Sequence, residues 1–562
     1  MGADEKYDVV IIGAGHNGTT IAAYLAKCGL SVCVLEERPE CGGAMEATEP
    51  IAGVRFPPHA VGNYAAPAPG WEQLELWKYG FRMDWLPEQR LALLGQSEGI
   101  MTTDGAAYPS EKDLMGFAKL SGLLDQPPFI KELLRATFWC PPHPPEVELT
   151  ADNIPYMQVY KERAPDIWTE ELLQMTFFDL MDEYFETEPY KASIAYGIWL
   201  SGALPHFQGV AIPAFASVAT IYPFMAGRWS PRGTMHGYYH ALMRCAIAHG
   251  AVFRTCCPAD EIIVNNGTAV GVRLRENATC PEKRIWAKKA VVSAIDIKQT
   301  FLKLIGPGHL DGGFMQRIKD LSLKGGSLWQ SHILTREPLR RRPKFKEGGT
   351  MYPCDSRDIY FDNVADVMSR QGSPTLPPER LLWNAAAPSQ VFSSTHPPCT
   401  RPDRYLEAAF CVYVTTPEYH VEGPDAMDKD KEKWNAYMRR AFSQVFENLD
   451  SDNIVYHWAN TPREEELRNT GMLGGSWYGI RHCRDQWWNE RPLPELARYR
   501  TPIDRLYLCH QSSGHPGGLC LMAIGYNLMH ILIEDGIAQP GDWWYPSPWY
   551  VPERGKVSAI MR

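Results

Sequence analysis

The chain has 562 residues, 45% of them hydrophobic and 22% charged, with a formal net charge of −10. That length exceeds what one core usually supports and predicts two domains, while the acidic balance argues against any role built on nucleic-acid phosphates. The 14 cysteines are scattered without CxxC, CxxCH or paired Cys/His spacing, which excludes a zinc-ribbon or haem-attachment reading and fits free thiols in a reducing cytoplasm.

Met1 to Lys6 is short and polar, so no secretory leader is expected before the first strand. Tyr7 to Ile12 is an apolar run with the character of a buried parallel strand, and Thr19 to Lys27 reads as a helix. Between them stands Gly13-Ala14-Gly15-His16-Asn17-Gly18. Gly13 suits a tight turn, Gly15 a close backbone approach to a pyrophosphate, and Gly18 the packing of helix on strand. His16 and Asn17 open the turn of N–H groups that would face the phosphates. Leu30 to Leu35 is expected as the next strand, ending in Glu36, whose carboxylate is placed to accept from ribose hydroxyls. Glu36-Glu37-Arg38 then runs through Gly42-Gly43 to Ala44 and Met45 in an ER-x-x-x-GG arrangement.

Further along, Asp166 to Phe185 reads as a helix, and Ala192 to Gly227 is apolar but broken by Pro205, Pro213 and Pro223, too interrupted to span a bilayer. Buried substrate-domain structure is the expectation there, with peripheral contact to a membrane surface as the alternative. His236 to His249 is an expected helix, Ala251 to Thr255 and Asp260 to Val264 are expected strands, and Asn265-Asn266-Gly267 is a turn leading to Val270–Arg275. Ala290 to Ser293 is a short apolar strand ending at Ala294, and Leu406 to Thr415 an extended one. Near the end, His510, Gly514 and His515-Pro516-Gly517-Gly518-Leu519 precede an expected helix over Met522 to Ile533. The aromatic and proline-rich stretch from Gly541 to Tyr550 reads as an arm on the body or on a second copy of the chain, where it would mark a homo-oligomer interface.

The glycine motifs, the ER-x-x-x-GG extension, Arg232-Gly233-Thr234-Met235, Val291 to Asp296, and Arg491-Pro492 through Leu506 to Cys509 together resemble the phytoene-desaturase-like branch of the FAD-dependent amine oxidase and phytoene desaturase superfamily. The resemblance implies an α/β, Rossmann-like FAD-binding domain assembled from residues 1–75, 230–300 and 470–535. It also implies an α+β substrate domain with a mixed sheet from 76–229 and 301–469, leaving 536–562 as the arm. By the same resemblance, Ala259 would meet the adenine edge, Ser293 and Ala294 would pass near the phosphates, and Gly514, Gly517 and Gly518 would give backbone contacts to the flavin. The helix after them would aim its N-terminal dipole at the ring. The sequence departs from the branch at His510, Leu519 and Met522, where extra bulk is expected to narrow the pocket towards a substrate more compact than a carotenoid.

A hydride-accepting cofactor needs no protein nucleophile, and no Ser-His-Asp arrangement or metal cluster is evident. Acid–base candidates are His59, His510 and His515, with Tyr64 a weaker one. The leading expectation is a flavin-dependent dehydrogenase or desaturase acting on a small lipophilic or alicyclic substrate such as a terpenoid, steroid-like compound, cyclic ketone or polyene. Its electron acceptor could be oxygen, a quinone or another molecule. Flavin amine oxidation is the second reading, weakened by Ala44, where many amine oxidases carry Arg after the glycine pair. A third is non-catalytic binding of prenylated partners, as in Rab GDP-dissociation inhibitors and escort proteins, which do not retain the full set of flavin motifs.

Overall fold

The computed structural model describes residues 5–60, 68–85, 100–102, 105–107, 109–124, 127–165, 169–200, 203–211, 229–306, 308–323, 326–343, 350–351, 355–361, 363, 383–386, 399–401, 404–415, 425, 427–429, 431–444, 446–449, 452–519 and 521–554. The elements that build the site are, in chain order, β1 (Glu5–Ile12), α1 (His16–Lys27), β2 (Val32–Leu35), α2 (Thr234–Ala248), β3 (Val252–Arg254), β4 (Ala259–Asn265), β5 (Thr268–Leu274), β6 (Arg284–Ser293), β7 (Leu328–Thr335), β8 (Trp383–Ala386), β9 (Arg404–Thr415), β10 (Ile454–Asn460), α3 (Pro462–Arg468), β11 (Leu506–Leu508) and α4 (Ala523–Glu534).

The first sheet runs β4-β5-β6-β1-β2-β3, with β11 also paired to β6. β6, β1, β2 and β3 are parallel, and β4-β5 is an antiparallel hairpin folded onto the start of β6. β6 changes neighbour along its length: residues 284–286 pair with β5, whereas 291–293 pair with β11. β1 shows why this sheet is parallel and central. Val9 and Ile11 face one layer, shared with Ile21, Leu25, Tyr239, Leu242, Ile524 and Leu528, while Val10 and Ile12 face the other, shared with Ile262, Val272, Ile285, Val291 and Phe301. A strand buried on both faces reads as an unbroken apolar run, as Val9 to Ile12 does.

The second sheet runs from Thr350–Met351 through β8, β9 and β7 to β10, all antiparallel, with Cys399–Arg401 added to β9. Helix Lys431–Phe442 covers it through Trp434, Met438 and Phe442, which pack on Trp329 and Ile333. This is an α/β fold whose Rossmann-like sheet is joined to a second sheet that is antiparallel throughout its described pairs and not mixed as expected.

Two helix expectations also change. α1 begins at His16, three residues earlier than Thr19, and so takes in Gly18, where a Cβ would overlap the Gly13 carbonyl oxygen. The single helix expected over 166–185 is instead a short 3-10 turn, Glu170–Leu173, followed by a separate helix, Phe177–Tyr184. Thr176 starts that helix with a reciprocal capping box to Asp179, a local signal that overrides the continuous apolar pattern. The arm lies on the body: Trp543 stacks on Tyr24 with ring centroids 6.2 Å apart, and Ser547 donates its backbone N–H to His530 Nε2.

Candidate functional site

At the carboxyl end of β1 the chain turns at Gly13 and enters α1, whose N-cap, Gly15, is extended and offers no side-chain cap. No acidic residue occupies the first turn, so the free N–H groups there face no competing carboxylate. The second glycine pair presses against this turn: Gly15 bridges Gly42, and a Cβ on Gly43 would lie 3.0 Å from Gly15 Cα. Both Gly42 and Gly43 have positive φ, at 145° and 56°, so side chains would be strained as well as crowded.

These turns form the floor of a crevice. One end is lined by Leu35, Glu36, Glu37, Arg38, Ala259 and Arg275, the middle by Gly13, Gly15, His16, Asn17, Gly43 and Ala44, and the far end by Asn469 to Met472, His510 and Gln511. Ala294, Ile295, Gln299, Lys303 and Leu304 form one flank. Glu36 accepts from the backbone N–H groups of Ala14 at 2.9 Å and Arg38 at 3.0 Å, so each oxygen keeps a lone pair for a further donor. Burial raises the carboxyl's pKa against the pull of these N–H bonds. Asn17 Oδ1 is buried beside the phosphate-facing turn without a hydrogen-bond partner. An acceptor for hydroxyls at one end, bare helix N–H groups in the middle and an orphaned polar atom beside them fit a dinucleotide laid along the crevice.

The acid–base candidates fall in different places. His59 does not line the crevice. Its Nε2 lies 3.4 Å from Glu46 Oε1, its Nδ1 contacts Glu465 of α3, and the three side chains are 1%, 2% and 0% exposed. Glu46 also pairs with Arg38 and lies 3.7 Å from Arg468. Burial alone would lower the pKa of His59, but the Glu465 charge and the hydrogen bonds to both carboxylates outweigh it and raise it to about 9. With both ring nitrogens on carboxylates, His59 is an imidazolium inside an ion cluster, not a base facing a substrate.

His515 is also enclosed. Its Nε2 meets Thr137 O at 2.5 Å, and its ring lies edge-on between Trp487 and Trp488, at 4.9 and 4.7 Å. Burial pushes its pKa down to about 3, so it is a neutral packing residue. Only His510 among the three reaches the crevice. Tyr64 lies outside the described residues, as does the side chain of Leu519.

The expected cofactor contacts divide likewise. Gly13, Gly15, His16, Asn17, Glu36, Glu37, Arg38, Gly43, Ala44, Ala259 and Ala294 line the crevice. Ser293 does not. It is fully buried, and its hydroxyl is bonded to that of Thr300 at 2.7 Å. Gly18, Gly42 and Met45 support the turns from behind. Gly514 and Gly517 are not on the crevice wall either: added Cβ atoms would strike the Tyr499 ring and His482, and one on Gly518 would lie 3.1 Å from Trp477 O. Met522 packs beside Tyr238, whose hydroxyl lies 2.6 Å from its sulfur, so its bulk fills the helix layer.

That closing turn is held by Arg491, which is 0% exposed. Its guanidinium donates to the carbonyls of Gly514, Ile480, Arg481, Gln486, Tyr478 and Gln511. Among the described residues it has no carboxylate partner. Burial pushes its pKa down to about 9, which leaves it a cation at neutral pH. Asn469, Thr470, Gly471, Gln299, Lys303 and Gln511 also line the crevice, and no sequence motif marks them. The nearest thing to a signal is structural: Lys303 and Leu304 belong to the π-helical turn Thr300–Ile305, and such turns recur at functional sites.

Fold and crevice together define a dinucleotide-binding protein of the α/β type. A family model described as FAD dependent oxidoreductase matches residues 8–124. The chain is 27% identical over 574 residues, covering 94% of each, to pyridine nucleotide-disulfide oxidoreductase domain-containing protein 2 of Rattus norvegicus. It is 25% identical over 561 residues to one of the subunits of limonene dehydrogenase of Castellaniella defragrans, covering 95% of this chain and 96% of that one. A solved structure of a putrescine oxidase mutant superposes with a TM-score of 0.55 at 15% identity, over 95% of this chain and 99% of the other. The chain is similar to the FAD-dependent oxidoreductases of the amine oxidase and phytoene desaturase superfamily.

Proposed function

We propose that the protein dehydrogenates a C–C bond in a small lipophilic or alicyclic substrate. The observation that carries this reading is the end-to-end similarity to the limonene dehydrogenase chain, a relative whose name specifies dehydrogenation of limonene, a cyclic hydrocarbon. Bound FAD supplies a two-electron oxidant that accepts a hydride from carbon. The chain's own residues bind and orient: Glu36 takes the ribose end, the α1 N-terminus the phosphates, and the Asn469–Met472 and His510–Gln511 segments enclose the far end. One substrate hydrogen leaves as hydride and its neighbour as a proton. With His59 held between carboxylates and His515 sealed between tryptophans, neither is available to take that proton. This favours a substrate whose second hydrogen leaves to solvent or to a crevice water over one that needs a strong protein base. The electron acceptor would be oxygen, a quinone or another molecule.

Amine oxidation is the second reading, and its support is the shared fold with putrescine oxidase. Anaerobic mixing of the holoenzyme with monoterpenes, alicyclic ketones, polyenes and primary amines separates the two. Loss of flavin absorbance with the hydrocarbon or ketone set is expected; bleaching by amines alone overturns the proposal.

A further inference from the structure

His510 sits on the crevice wall with its ring hydrogen bonds all on one side. Its Nδ1 lies 3.3 Å from the backbone N of Ser512 and 2.9 Å from Ser512 Oγ. A backbone N–H can only donate, so Nδ1 must carry a lone pair, and the proton of a neutral ring is on Nε2. Ser512 is in turn fixed from behind. Its hydroxyl oxygen accepts from Ile297 N at 3.0 Å and gives its one proton to His510 Nδ1, while the buried carboxyl of Asp296, which caps Lys298 N at 2.8 Å, packs against the same hydroxyl. Ser512 and Asp296 are 0% and 1% exposed, so no bulk water competes for these contacts. On the other side, a Cβ at Gly471 would lie 3.0 Å from His510 Nε2, so the glycine lets the ring stand against that backbone at the crevice wall.

We propose that His510 is a neutral, tautomer-fixed hydrogen-bond donor that grips an oxygen of the bound dinucleotide through Nε2–H, with Ser512 and Asp296 as its positioning residues. Of the charged and titratable groups that face it, Arg491 from behind the closing turn opposes a second proton, His16 from α1 is itself held neutral by burial at about 4, and Asp296 acts only through Ser512. Burial, the largest cause, pushes the imidazole down to about 3. A ring so hard to protonate is a poor proton acceptor at neutral pH, and an Nε2–H donor suits phosphate, ribityl or ring oxygens, all of which are acceptors. His510 is thereby a binding residue and not the base that its position beside a flavin would suggest.

This inference rests on FAD occupying the crevice, and its test is FAD affinity, which needs no substrate. Reconstitution of apoprotein with FAD is followed by flavin fluorescence for wild type, His510→Phe, His510→Gln and Ser512→Ala between pH 5.5 and 8.5. His510→Phe is expected to bind FAD about tenfold more weakly, as loss of one hydrogen bond to a charged or polar acceptor implies. His510→Gln, which keeps a donor, should stay within about threefold of wild type, and Ser512→Ala should fall between them. The wild-type to His510→Phe ratio should not change with pH. Equal affinity of wild type and His510→Phe, or a ratio stepping near pH 6.5, overturns the proposal. Should His510→Phe not fold, equal affinity of Ser512→Ala and wild type does so instead. Failure of wild type itself to bind FAD would strike the cofactor assignment and not His510.

Discussion

The ion cluster around His59 and the crevice end around His510 hold the same type of side chain in opposite charge states. His59 has a carboxylate on each nitrogen and is held charged, while His510 has a backbone N–H and a hydroxyl on one nitrogen, with the Arg491 cation nearby, and is held neutral. Burial opposes charge in both places. What decides the outcome is whether the chain supplies compensating carboxylates. The cluster also ties the halves of the molecule together: Arg38 and Glu46 come from the segment after β2, and Glu465 and Arg468 from α3 after the last strand of the second sheet. Gln330 of β7 reinforces the joint by donating to Pro57 O at 3.0 Å and His59 O at 3.2 Å.

The largest effect is expected where a buried charge relies on carbonyls alone. Arg491→Met removes the donor for six carbonyls at once and should cost about 4 kcal/mol or more in urea unfolding of the holoprotein. A variant within about 1 kcal/mol of wild type would show that the closing turn stands without the guanidinium. Next is His59→Leu, which strands two buried carboxylates and should cost about 3–5 kcal/mol by the same measurement. Adding Glu465→Leu to that variant should recover part of the loss, because removing both partners of a buried pair costs less than removing one.

A pH series sharpens the contrast further. The folded value of His59, about 9, lies above its ordinary value of 6.5, so its stabilising contribution is complete below about pH 6.5 and is lost as the pH rises towards 9. Thermal midpoints of wild type and His59→Gln should therefore converge between pH 6.5 and 9. A gap that stays constant across that window would mean that His59 is not held as a cation. The smallest effect is expected at Glu36, where Glu36→Gln keeps an acceptor but weakens it and should raise the FAD dissociation constant by about tenfold or less.

The first sheet is legible in the sequence because its signals are contiguous: a run of apolar β-branched residues, a glycine turn and an alanine-rich helix all point to the same local structure. The crevice floor follows from the same motif. The closing turn is only half legible. A glycine marks a place where no Cβ fits, but sequence does not say whether ligand or protein fills that place, and at Gly514 and Gly517 it is Tyr499 and His482. His59 reads as a free base for a related reason, since its partner Glu465 lies 406 positions away and no spacing rule links them. The same distance hides Asn469 to Met472, which reach the crevice only because α3 returns from the second sheet.

The central claim is that the crevice floored by Gly13 to Gly18 and Gly42–Gly43 holds FAD. Denaturing the purified holoprotein and quantifying the released flavin tests it most directly. FAD is expected at one molecule per chain and is expected to be lost in Gly18→Val, where the added side chain meets the Gly13 carbonyl. Wild-type protein that neither carries FAD nor takes it up, or Gly18→Val that retains it in full, would contradict the account.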